Sequence, residues 1–497
     1  MTSLKHRTFN ALKWSYLSFL MNMLLQPLFA AVLARLLGPK EFGLVAAGVI
    51  LYSFGYFLAD LGVGQALVQK RELREEHIRA AFTAAVVLGL LASVIAWMIA
   101  PAAANLIMQP EVIPIFRGYA VTYVLSTLVI VSMSLLRRNL QFKPIMLAEV
   151  SSYVLGVGVA GLGAAYLGYG AFSLVIAVAV QYVVQLAVTY AYARHSLKPI
   201  FQWAAYRDLF SFGSRASIIA FLEFLGTSLD QMVMVRLYDP AIVGVYNRAF
   251  NGVCTPLMGL ARNLTRVLAP SFGMVQTDQG KLRHGYLTGL QALSVLMFSI
   301  AAGFVVCAPE IVMVLLGEKF RAAIPMVQVL GLFVTFPVLS NLAAVLAEAT
   351  ARLNVKIFIQ LLYVAALAVG FWVAYRMGGG VLGFAWVLLV ASVARNVAYA
   401  FVARAIIGGY GREIVRAHVQ GLACACIVGL VLYAVVWNLR NEGVQPFALF
   451  AIEGLVGGLL LLLVALLGPS AALRTTTRSA LNTAAARMPM LRSVLRS

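Results

Sequence analysis

The sequence predicts an all-α polytopic membrane protein of fourteen transmembrane helices: two pseudo-symmetric six-helix bundles, then two further helices. Three observations predict it. Over 497 residues, 62% of side chains are hydrophobic and 11% charged, against about one quarter charged in a soluble domain. Apolar runs long enough to cross a hydrocarbon layer about 30 Å thick recur from end to end. The chain also repeats itself: Arg35-Leu-Leu-Gly-Pro39-Lys-Glu-Phe-Gly43 matches Arg236-Leu-Tyr-Asp-Pro240-Ala-Ile-Val-Gly244, at an offset of 201.

The first six spans are 11–37, 42–68, 78–100, 113–136, 145–167 and 171–193. The next six are 209–235, 241–269, 286–308, 324–347, 357–375 and 381–402, and the last two are 415–437 and 447–467. The first run is too long for a cleaved signal segment and reads as a retained span. The resulting domains are an N-terminal bundle 1–200, a second bundle 201–408, the added helices 409–470 and a basic tail 471–497. Further marks of the repeat are Ala100-Pro101 with Ala308-Pro309, closing spans three and nine, and Phe142-Lys143 with Val355-Lys356, opening spans five and eleven. An even number of spans per half gives both halves the same orientation, related by an axis along the membrane normal. Spans one and two then face spans seven and eight.

The chain has 38 basic against 18 acidic side chains and a net charge of +20. The basic residues are spread over short loops, which excludes nucleic acid as the partner. Lysines and arginines number 25 on the side of the N-terminus, eight on the other and five within spans. That asymmetry puts both termini in the cytoplasm. The basic tail is solvated or touches anionic lipid. Cys254, Cys307, Cys424 and Cys426 sit inside apolar runs without metal or redox spacing and read as small core residues. All five histidines fall on cytoplasmic segments, so no metal site is expected.

Spans seven and eight are the exception to clean apolar interiors. At about 100° per residue, Arg215, Glu223 and Asp230 fall within an arc of about 80°. Arg248, Thr255, Arg262 and Arg266 fall within about 40°. A charge at bilayer depth costs on the order of 3 kcal/mol, so such stripes face each other or a watery cavity. Buried ion pairs that fix packing are one reading; the wall of a cationic cavity is the other. Asp60, near the cytoplasmic end of span two, has Ala261 as its counterpart at the same offset. It can pair with Arg262 or Arg266 as a gate, or cap a local turn at Gly62 and Gly64.

The segment Ala34-Arg-Leu-Leu-Gly-Pro-Lys-Glu-Phe-Gly-Leu44, followed by Asp60-Leu-Gly-Val-Gly-Gln65, resembles the opening of Wzx-type polysaccharide flippases. These belong to the multidrug/oligosaccharidyl-lipid/polysaccharide exporter superfamily. Leu229-Asp-Gln and Gly244-Val-Tyr-Asn-Arg-Ala249 are similar to that family's second-half signature. The resemblance implies a V-shaped pair of bundles in the bacterial inner membrane, working by alternating access. It implies a substrate of undecaprenyl-pyrophosphate-linked oligosaccharide, flipped from the cytoplasmic to the periplasmic leaflet for exopolysaccharide, O-antigen or capsule synthesis. Partners would be membrane lipids and the polymerase and chain-length or export proteins of the pathway. No cofactor is expected beyond a coupling cation, H+ or Na+, or the membrane potential.

A pyrophosphate suits arginine, whose permanent charge and forked donors match its oxygens. Arg215, Arg248, Arg262 and Arg266 are therefore the candidate head-group residues. Asn22, Gln26, Tyr52, Tyr56 and Asn251 are candidate sugar contacts, with inter-helix hydrogen bonding as the competing role. Asp60, Glu223 and Asp230 are candidate gate or coupling carboxylates. Arg35 and Arg236, at repeat-equivalent ends, either snorkel or touch ligand. Arg395 reads as a buried pair or a snorkeller, and Glu149 and Glu453 stand isolated with no role. A membrane-embedded polymerase or ligase needs catalytic groups in a sizeable external loop. The longest here, 101–112 or 310–323, hold no acid–base pair. A drug/cation antiporter of the same superfamily would favour an acidic cavity, whereas these stripes hold four arginines against three acids.

Overall fold

The structure, a computed structural model, describes residues 2–60, 63–69, 73–203, 206, 224, 228–274, 278–350, 352–471, 473–475 and 477–478. The described secondary structure is entirely helical. Its helices are α1 (Thr2–Leu36), α2 (Pro39–Asp60), the short α3 (Val63–Gln69), α4 (Glu75–Leu106), α5 (Val112–Arg138), α6 (Phe142–Tyr166) and α7 (Phe172–Ala193). After the helical residues 228–237 come α8 (Pro240–Met274), α9 (Gln279–Leu316), α10 (Glu318–Ala349), α11 (Leu353–Arg376), α12 (Gly380–Ile406), α13 (Gly411–Asn441) and α14 (Pro446–Leu467). Ten of these helices are long and apolar enough to cross a membrane.

Helix ends follow local chemistry. Asp278 caps α9 by accepting the Lys281 amide at 3.0 Å. Glu75 and Glu76 place negative charge on the first turn of α4. Pro446 sits in the first turn of α14, where its missing N–H leaves no bond unmade. The turns 5–6 and 11–12 use the same device: Gly168 and Gly170 have φ of 85° and 53°, and Gly378 and Gly380 have 67° and 57°. Only glycine enters that region without strain.

One pair of boundaries differs from the sequence expectation. Spans three and nine do not stop at their prolines: α4 runs through Pro101 to Leu106, and α9 through Pro309 to Leu316. A proline removes one backbone hydrogen bond, and each long apolar helix tolerates that loss near its end. The expected external loops shrink accordingly. Only 107–111 separates α4 from α5, and 310–323 is helical almost throughout.

The chain divides into two compact units, Met1–Asn247 and Arg248–Ser497. In the first, α5 packs against α2, α3, α4 and α7, and 72% of its apolar window is buried, against 22% for α7. In the second, α10 is the central helix, with 78% of its window buried; it packs against α9, α11 and α12. Helices α5 and α10 cover the apolar runs 113–136 and 324–347 of the sequence. The two added helices, α13 and α14, pack on α9. Contrary to the sequence reading of four core cysteines, Cys426 is exposed on α13, while Cys254 and Cys307 are buried. Its position falls on the outward side of a helix whose apolar window is only 22% buried.

Candidate functional site

The repeat motif meets itself. Pro39 opens α2 and Pro240 opens α8, and each is followed four residues on by a glycine. A Cβ on Gly43 would lie 1.6 Å from the Pro240 carbonyl oxygen, and one on Gly244 would lie 1.8 Å from that of Pro39. The first turns of α2 and α8 therefore cross backbone against backbone, in a reciprocal pair of contacts that only glycine permits.

The 3–4 connection holds this crossing from the side. Gln109 donates from Nε2 to the carbonyls of Val235 (2.8 Å) and Tyr238 (3.2 Å) in the turn leading into α8. Lys40 at the start of α2 pairs with Glu111 at 2.7 Å, and Arg236 reaches Met108 Sδ; both cations are exposed. Two further bonds fasten 228–237 to α8. Tyr246 Oη donates to Asp230 at 2.5 Å, and Asn247 Nδ2 donates to Gln231 Oε1 at 3.3 Å. Asp230 is buried, and a hydroxyl donor is what makes a buried carboxylate tolerable. Sequence reasoning missed Gln109, Gly43 and Gly244 as a set. The signal was present in the matched glycines of the repeat.

Of the candidate cavity residues, Arg215 and Glu223 lie outside the described residues, and so do the side chains of Asp60, Arg262 and Arg266. Arg248 is half-buried on α8; Asn251, one turn on, is exposed and accepts from Thr255 Oγ1 at 3.0 Å. The candidate sugar contacts divide. Gln26 is exposed on α1. Asn22 donates to the Ser18 carbonyl of its own helix at 2.9 Å. Tyr52 is buried in an aromatic cluster: its ring stacks on Tyr123 at 4.5 Å, and its hydroxyl lies 3.4 Å from that of Tyr182. Tyr123 donates back to the Tyr52 carbonyl at 2.6 Å. Gly48 and Gly55 line the same side of α2 and let it close on α5 at Tyr119 and Tyr123. Tyr56 is half-buried at the cluster's edge, 6.3 Å from Tyr52 between ring centroids.

Neither glutamate set aside as isolated is isolated. Glu149 on α6 accepts from Ser18 on α1, tying the two helices, and Glu453 on α14 faces Glu310 and Cys307 of α9. Arg395, half-buried, lies over the Tyr363 ring at 4.5 Å and donates to Ser340 at 3.3 Å. After α7, His195 sits 3.1 Å from Ser132 Oγ, and burial pushes its imidazole below the usual range.

Ten described helices long and apolar enough to cross a membrane, with a backbone crossing at two sequence-matched helix starts, mark a multi-pass membrane protein. The chain belongs to the family described as polysaccharide biosynthesis protein, which matches residues 32–325. It is 24% identical over 419 residues to the lipopolysaccharide biosynthesis protein WzxC of Escherichia coli K12, covering 83% of this chain and 84% of that one. It is also 24% identical over 482 residues to the teichuronic acid biosynthesis protein TuaB of Bacillus subtilis 168, covering 92% and 95%. These relatives bear out the Wzx-type resemblance. Among solved structures, the inward closed lipid II flippase MurJ superposes with a TM-score of 0.70 at 10% identity, covering 92% of this chain and 98% of that one. An inward-facing multidrug MATE transporter superposes with 0.62 at 18% identity, covering 77% and 94%. At these identities the superpositions show the fold alone, an all-helical architecture.

Proposed function

We propose that this protein flips undecaprenyl-pyrophosphate-linked oligosaccharide units from the cytoplasmic to the periplasmic leaflet of the bacterial inner membrane by alternating access. The chain then has fourteen spans in a six-plus-six-plus-two arrangement, with both termini cytoplasmic. The reciprocal glycine crossing of α2 and α8 is the observation that carries the reading. An alternating-access carrier needs a tight closure at one end of its path at a time. Repeat-equivalent helix starts meeting without side chains between them supply that closure at the loop end predicted to be periplasmic. Family membership and the names of WzxC and TuaB support a polysaccharide precursor as cargo.

Arg215, Arg248, Arg262 and Arg266 receive the pyrophosphate in this mechanism, since guanidinium forks match its oxygens and stay charged at any working pH. Asp60 and Arg262 pair to close the cytoplasmic end once the head group has left, and the incoming pyrophosphate takes the arginine over. Asp230, held by Tyr246, positions the start of α8 rather than touching cargo.

The test is reconstitution into vesicles with a fluorescent undecaprenyl-pyrophosphate oligosaccharide, followed by a leaflet-accessibility assay. Flipping faster than in protein-free vesicles is expected. Equal rates in both would refute the reading.

A further inference from the structure

Glu453 lies on α14 and is 4% exposed, yet neither carboxylate oxygen has a hydrogen-bond partner. The groups facing it are the Glu310 carboxylate and the Cys307 thiol of α9 and the Arg440 guanidinium of α13. Glu310 is equally buried, at 6%. Arg440 holds it in a two-pronged bond, Nε to Oε1 at 2.9 Å and Nη2 to Oε2 at 2.7 Å, and adds a bond to the Val306 carbonyl. One cation therefore stands against two buried carboxylates. Its donors go to Glu310 and the Val306 carbonyl, which among the described residues leaves Glu453 only the Cys307 thiol as a neighbouring donor.

A thiol is a weak donor, so an ionised carboxylate with no stronger one is disfavoured in an apolar interior, and a second carboxylate beside it disfavours it further. A proton resolves both problems: Glu453–OH becomes the donor, Glu310 the acceptor, and the cluster of Arg440, Glu310 and Glu453 becomes neutral. We propose that Glu310 and Glu453 form a proton-binding site at the junction of α9, α13 and α14, holding one proton between them. The proton enters past Arg440, whose side chain is 34% exposed at the end of α13. Bound, it joins α14 to α9 through an acid–carboxylate hydrogen bond; released, it leaves two like charges on facing helices. Proton occupancy thus sets how firmly the added helix pair is held to the second repeat. The site uses none of the candidate carboxylates Asp60, Glu223 and Asp230.

The purified full-length protein in detergent is treated with dicyclohexylcarbodiimide, which modifies protonated carboxyl groups in apolar surroundings, and the modified residue is located by peptide mass spectrometry. Labelling of Glu453 is expected at about pH 6, falling by about tenfold per pH unit above its midpoint. Glu453→Gln, which mimics the protonated acid, should keep the size-exclusion profile and lose the label. With Glu310→Gln, Arg440 is freed to take Glu453 as an anion, so labelling of Glu453 should drop to background. Glu453 unlabelled at every pH, labelled equally at all pH values, or unaffected by Glu310→Gln would each overturn the shared proton. Protection by sodium chloride but not choline chloride at fixed pH would overturn it in favour of a sodium site.

Discussion

Replacing Gly43 by alanine tests the crossing directly. The added methyl carbon would sit 1.6 Å from the Pro240 carbonyl oxygen, 2.4 Å from its carbonyl carbon and 2.8 Å from its Cα. Carbon and oxygen approach to about 3.3 Å even in the closest favourable contacts, so the two helix starts must part by well over 1 Å. All three obstructing atoms are backbone, and no rotamer change relieves them. Overpacking a rigid site costs about 1–3 kcal/mol. At the upper end the closed arrangement loses about a hundredfold in population, since each 1.4 kcal/mol is a factor of ten. Val243, 1% exposed in the first turn of α8, reports the outcome. In a cysteine-free background, Val243→Cys should react slowly with a membrane-impermeant maleimide, and Gly43→Ala should speed that reaction by up to about a hundredfold. Gly244→Ala, whose Cβ meets the Pro39 carbonyl at 1.8 Å, should do the same. The double alanine variant should add little, because one separation relieves both clashes and the effects are not additive. An unchanged Val243→Cys rate in a folded Gly43→Ala protein would refute the crossing.

Arg248→Ala and Arg262→Ala should each impair polysaccharide export while the protein still inserts, with lysine restoring only part, as a point charge lacks the fork; normal export by the double alanine variant reduces them to packing. Single cysteines at Gly168 and Gly379 should react from the periplasmic side, and reaction only from the cytoplasm would invert the topology. Tyr246→Phe removes the hydroxyl that Asp230 accepts and should destabilise by about 1–3 kcal/mol in a detergent melt, with Asp230→Asn recovering part of it; an unchanged melt contradicts the pairing. His195 is kept neutral by burial, with its folded value below the unfolded one near 6.5, so its contribution is complete above about pH 6.5 and lost as pH falls. Melting temperature should therefore drop between about pH 7.5 and 5.5, less so in His195→Gln.

What the sequence determined by itself is what lipid dictates locally. A span must be long, apolar and helical because its backbone has no other partner, so α5, α7, α12 and α14 begin and end within a few residues of their apolar runs. The repeat was legible too, because Pro39 with Gly43 and Pro240 with Gly244 are matched residue for residue. Its consequence was not: that each glycine closes on the other repeat's proline carbonyl is a contact across some 200 residues, and no periodicity encodes it. The same holds for the polar residues. Composition marks Tyr52, Glu149 and Glu453 as costly at membrane depth, but it does not say which neighbour meets that cost. Tertiary structure decided it. Tyr52 is occupied by Tyr123 and Tyr182, Glu149 by Ser18, and Glu453 is brought against Glu310 and Cys307.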